Sequence, residues 1–85
     1  MGLKVRLDWF DKTTEWLVGT EDSKDLGEDY SIVTTLGLSK EEVVNNGMFE
    51  LRREWLSLVQ PLFAHEIALT DSDYFIALDY EDAQL

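Results

Sequence analysis

Four large apolar side chains, Phe10, Leu17, Met48 and Phe75, occur in segments crowded with carboxylates, among them Asp8, Glu21, Glu50 and Asp73. The chemistry open to such a set is binding rather than bond-breaking. Burial of the apolar groups supplies affinity, and the surrounding charge supplies encounter rate and register. A competing reading makes the same four residues a second small core, covered by a helix or by the segment 56–69. Catalytic arrangements are weaker. The single histidine, His65, lies in the alternating apolar run Phe63 to Leu69, where a structural role outweighs catalysis. No nucleophile is paired with a base. Asp71, Asp73, Asp79, Glu81 and Asp82 lack the spacing and central glycine of an EF-hand loop, so they read as a solvated acidic tail and not a calcium site. Glycine-rich phosphate loops are absent, and no cofactor or metal is expected.

Eighteen acids against seven bases give a formal charge of −11. Such a field repels nucleic acid and anionic membrane and attracts basic partners within about a Debye length, ~8–10 Å. Acidity alone also fits a merely soluble domain, so pattern must decide. At 85 residues the chain has room for a single domain, 1–85, with one modest core. Its 45% hydrophobic content, including Trp9, Trp16 and Trp55, argues against wholesale disorder. The absence of cysteine excludes a disulfide framework, a zinc ribbon and a thiol nucleophile, and fits a reducing cytoplasm. The first residues alternate charged and apolar types, unlike a signal peptide or a membrane span, so the mature chain is expected to start here.

For the apolar set to share one face, strands must carry it. Leu3, Val5, Leu7 and Trp9 alternate with Lys4, Arg6 and Asp8, as a half-buried strand requires. Asp11-Lys12-Thr13-Thr14 supplies a turn, and Trp16 and Val18 are expected to continue the buried face on a returning strand. Tyr30 to Leu36 reads as a short helix stopped by Gly37 and capped by Asp29 or Ser31. Ser39 and Glu42 have capping-box spacing, and Asn45-Asn46-Gly47 signals a turn.

Residues 48–60 fit two periods, with helix slightly favoured by the local pattern, and Pro61 interrupts either. Tyr74, Ile76, Leu78 and Tyr80 mark a last strand. If 48–55 is a strand, Leu3, Val5, Leu7, Trp9, Trp16, Val18, Phe49, Leu51, Trp55, Tyr74, Ile76 and Leu78 share a core face. The opposite face then carries the four apolar residues among Asp8, Glu21, Glu50, Arg52, Glu54, Asp73 and Asp79. Arg53 falls in core phase, which marks a bulge or a helix there.

The run GLKVRLDWFDKTTE, the segment SKDLGEDYS, the turn VNNG before Met48, Glu54-Trp55, Gln60-Pro61 and DYFIALDY together resemble the cloacin and colicin immunity proteins, which neutralise ribosomal-RNA-cleaving bacteriocins. The resemblance spans nearly the whole chain. It implies an α+β, mainly β fold, a four-stranded antiparallel sheet with one short helix, and so a strand after Gly47. It also implies a non-enzymatic protein that forms a one-to-one complex with the cytotoxic RNase domain of its matching toxin and blocks access to the ribosome. Such a protein would sit in the cytoplasm of the producing bacterium and leave it bound to the toxin. Carried over by position, the family's aromatic contacts fall on Phe10 and Phe75, Leu17 stands where a further aromatic is expected, and Met48 occupies the position that varies with toxin. Arg52 and Arg53 replace smaller or less basic residues. The rival function is an acidic nucleic-acid mimic or antitoxin module directed at another basic protein, and salt dependence separates the two.

Overall fold

A computed structural model describes residues 2–81 of the chain. The alternating N-terminal run forms β1 (Gly2–Asp11), which turns back into β2 (Leu17–Asp22). Two short helices follow, α1 (Ser31–Thr35) and α2 (Lys40–Val43), and then β3 (Met48–Glu50). A 3₁₀ turn (Arg53–Trp55), α3 (Leu56–Val59) and a second 3₁₀ turn (Gln60–Leu62) lead through an irregular stretch to β4 (Ser72–Glu81). The strands make one four-stranded sheet in the order β2-β1-β4-β3, with every strand antiparallel to its neighbour. This is the expected mainly β architecture, with three short helices where one was expected.

β1 and β4 form the centre because each is apolar at period two and long enough to pair from Gly2↔Glu81 to Asp11↔Ser72. Leu3, Val5 and Leu7 from β1, with Tyr74, Ile76 and Leu78 from β4, fill one face of the sheet. Val33, Leu36, Val43, Leu51, Trp55, Val59, Phe63 and Ile67 pack against them from the helices and connections. Trp9 and Phe49 join this core as partly buried members.

Residues 48–62 satisfy both periods in turn. Met48 to Glu50 pair with Ala77 to Phe75 as strand, and helical turns then carry Trp55 and Val59 inward. Arg53 therefore begins a helical turn and is not a bulge, and Arg52 and Glu54 lie beyond the strand. Pro61 sits at the start of a 3₁₀ turn, where its missing N–H breaks no hydrogen bond. The alternating run 63–69 is not a strand. Side chains replace ladder partners there: Gln60 accepts from Ile67 N at 2.8 Å and donates to His65 O at 2.8 Å. The Glu21 carboxylate accepts from Ala64 N and His65 N, at 2.8 and 3.0 Å.

The helical start and stop signals act in altered ways. Gly37 takes φ 78° after α1, as a glycine stop should. Asp29 accepts from Ser31 N at 2.9 Å in the chain entering that helix, although the N-cap position is Tyr30. The Ser39–Glu42 capping box does not form, because the Ser39 hydroxyl donates to Glu41 at 2.9 Å. Asn46 instead caps the end of α2 by donating to Glu42 O at 2.6 Å.

Trp16 and Val18, expected in the core, are 78% and 59% exposed. Trp9 pairs with Gly19 but Phe10 pairs with Leu17, so Val18 is an extra residue in a bulge. One inserted residue reverses the parity of everything across it. Trp16 precedes β2 altogether, following Glu15, which takes the left-handed conformation at φ 63°.

Candidate binding face

The strand registers place the expected residues row by row on the face turned away from the core. Leu17, Phe10 and Asp73 stand abreast, the next row is Thr20, Asp8, Phe75 and Glu50, and the third is Asp22, Arg6, Ala77 and Met48. Seven of the expected site residues, Phe10, Leu17, Met48, Phe75, Asp8, Glu50 and Asp73, thus share one surface. Glu21 does not. Its partner in register is Leu7, on the core side, where its carboxylate is engaged by Ala64 N and His65 N. Those two amides hold the Glu21 pKa below its ordinary value, the Ala64 bond contributing most.

The second-core reading does not describe this face. Leu17 and Met48 are exposed, and Phe10 and Phe75 pack on each other and not on the core cluster. Their rings meet edge to face with centroids 5.5 Å apart, a geometry in which each fixes the other's orientation. Phe10, Met48 and Phe75, with Glu15 and Asp73, line a shallow depression of about 260 Å³. Glu15 owes its place there to the hairpin turn and its left-handed backbone, which no spacing in the sequence reveals.

The carboxylates have different tasks. Asp8, only 8% exposed, accepts from the Thr20 hydroxyl at 2.5 Å and from Arg6 Nε at 3.2 Å. Arg6 also reaches Asp79 at 3.0 Å, so one guanidinium links neighbouring strands across the sheet. Asp73 is paired with Lys12 of the hairpin turn at 2.9 Å. Glu50 is exposed beside Phe75. Asp8 and Arg6, beside the aromatic pair, are therefore internally satisfied, whereas Glu50 presents exposed charge.

Met48 is positioned by the preceding turn. Asn45 and Gly47 both take positive φ, 56° and 81°. Asn45 accepts from Tyr80 N at 2.9 Å and donates to Tyr80 O at 3.1 Å, so its amide imitates a strand partner for β4. Asn45 N also donates to Leu78 O at 2.8 Å. The turn is thus docked on β4 directly before β3 begins.

On the core side, His65 is a packing residue. It stacks on Trp9 with ring centroids 3.9 Å apart and meets the Tyr74 hydroxyl at 2.7 Å. Trp9 in turn lies over Gly19, where a Cβ would collide with the indole. Among the described residues no group of three potential metal ligands converges, and Asp82 of the acidic tail lies outside them. No helix among them is long and apolar enough to cross a membrane.

An acidic, largely uncovered sheet face with a central aromatic pair is suited to gripping another protein, and it offers no group poised for bond chemistry. The family model described as Cloacin immunity protein matches residues 2–81 of this chain. The chain belongs to the cloacin immunity family and is a bacteriocin immunity protein; the proteins of this family are inhibitors rather than enzymes and act in the toxin-producing cell.

Proposed function

We propose that this protein binds the cytotoxic ribosomal RNase domain of a colicin- or cloacin-type toxin one to one and keeps that domain off the ribosome. The Phe10–Phe75 pair on the open sheet face, flanked by Leu17 and Met48 and surrounded by carboxylates, carries the reading. A nuclease that grips ribosomal RNA needs a cationic surface, and a chain of charge −11 is attracted to it before contact. The apolar cluster then fixes the complex by excluding water at its centre, while Asp8 and Asp73 order the face through Arg6, Thr20 and Lys12 and the exposed Glu50 meets the basic partner. The protein acts in the cytoplasm of the producing cell and leaves with the toxin.

The test is co-purification with the RNase domains of colicin- and cloacin-type toxins, followed by translation in vitro with the domain that is retained. The expected result is a one-to-one complex and restored translation when the chain is added in equimolar amount. Translation that stays blocked despite stoichiometric chain overturns the proposal.

A further inference from the structure

We infer that Trp16 and Val18 form a second contact with the toxin, extending the grip from the open sheet face around the free edge of β2. This rests on the toxin-binding reading above and adds residues outside its aromatic centre. Trp16, Leu17 and Val18 are consecutive, and all belong to the few large hydrophobic residues exposed among those described. Leu17 is abreast of Phe10, so the exposed run is continuous with the proposed face.

The backbone that carries the indole is fixed by a well-bonded turn. The Asp11 carboxylate accepts from Thr13 N and Thr14 N at 2.7 and 2.8 Å, and Asp11 O accepts from Glu15 N at 2.8 Å. Trp16 N donates to the Thr14 hydroxyl at 3.3 Å, and Trp16 O accepts from Asp11 N at 2.9 Å. A tryptophan presented from a preorganised turn loses little further backbone freedom on binding, and tryptophan is enriched among residues that dominate interfaces.

The surroundings choose the occupant. Glu15 adjoins the indole, and Asp22 and Glu66 are exposed at the far end of β2 and in the segment facing it. With a total charge of −11, two copies of this edge repel each other, whereas a basic domain with an apolar recess is attracted. The bulge at Val18 further disturbs the regular edge that a second copy would need for strand pairing.

The experiment compares the full chain with Trp16→Ala, Val18→Ala, Phe75→Ala and Leu58→Ala, measuring dissociation from the toxin's RNase domain after circular dichroism confirms folding. Leu58 is exposed on α3, whose Val59 packs into the core on the side of the sheet opposite Phe10 and Phe75. The expected result is dissociation about tenfold or more faster for Trp16→Ala and a few-fold faster for Val18→Ala, with Leu58→Ala unchanged. Dissociation of Trp16→Ala within twofold of the parent, while Phe75→Ala dissociates faster, overturns this inference and leaves the toxin-binding reading standing. Concentration-dependent dimerisation of the free chain that Trp16→Ala abolishes also overturns it, assigning the edge to a second copy. Failure of the parent to bind the RNase domain overturns both.

Discussion

Phe75 and Phe10 divide their contributions between binding and folding unevenly. Each touches the other across the open face, and neither belongs to the main core. Phe75→Ala is therefore expected to lower folding stability by less than about 1.5 kcal/mol while raising dissociation from the toxin about thirtyfold, the scale of a central interface residue. Denaturant unfolding and surface-bound kinetics measure the two effects separately, and equal parent and variant dissociation rates would remove the apolar anchor. Gly19 presents the opposite case. It lies in strand register with Trp9, and a methyl group there runs into the indole stacked on His65. Gly19→Ala should cost about 1–3 kcal/mol of stability by overpacking, with altered tryptophan fluorescence as Trp9 is displaced. Unchanged stability and emission would mean that the indole is free to move.

The elements differ in how far local pattern determines them. β1 and β4 were legible because alternation ran unbroken from Leu3 to Trp9 and from Tyr74 to Tyr80. β2 departs from simple alternation because parity propagates: one extra residue at Val18 turns that side chain out of the core and moves Glu21 to the core side, whereas Trp16 is exposed because it precedes the strand. A glycine opposite Trp9 was the available signal, since glycine inside a strand marks a bulge or a close approach. Phe10, Leu17, Met48 and Phe75 still landed together, because Leu17 lies on the turn side of the bulge and keeps its pairing with Phe10. Residues 48–62 resisted a single assignment because they are two elements in succession, and no long-range partner is visible in a local window. Glu21 offers a test of the linkage between elements, since its depressed pKa comes from holding Ala64 N and His65 N. A lowered folded-state value means that the carboxylate stabilises the fold above its ordinary pKa of 4.5 and loses this contribution as pH falls through the lower folded value. Glu21→Gln, which keeps only one acceptor oxygen, should melt below the parent near neutrality, and the gap should narrow on acidification below 4.5. A melting-temperature gap independent of pH would show that the charge on Glu21 does not link these elements.

At the scale of the molecule, the fold separates its apolar core from a charged surface whose parts act at different distances. Asp8 is enclosed by Thr20 and Arg6, and Asp73 is paired with Lys12, so these carboxylates mainly order the open face. The remaining excess of negative charge, spread over the whole chain, acts on a partner before contact. Salt should therefore affect the two rates of complex formation unequally. Raising sodium chloride from about 0.02 to 0.5 M shortens the Debye length from roughly 20 Å to about 4 Å, and association with the RNase domain should slow by on the order of ten- to a hundredfold. On the proposed apolar grip by Phe10 and Phe75, dissociation should change by less than about threefold. Neutralising the exposed Glu50 by Glu50→Gln should reduce association modestly and leave dissociation near the parent value, whereas Phe75→Ala should do the reverse. Stopped-flow association and competition-chase dissociation over the salt series test this division. A complex whose dissociation accelerates with salt as steeply as its association slows would be held by charge alone, as expected of a nucleic-acid mimic, and the aromatic pair would then have no part in the grip.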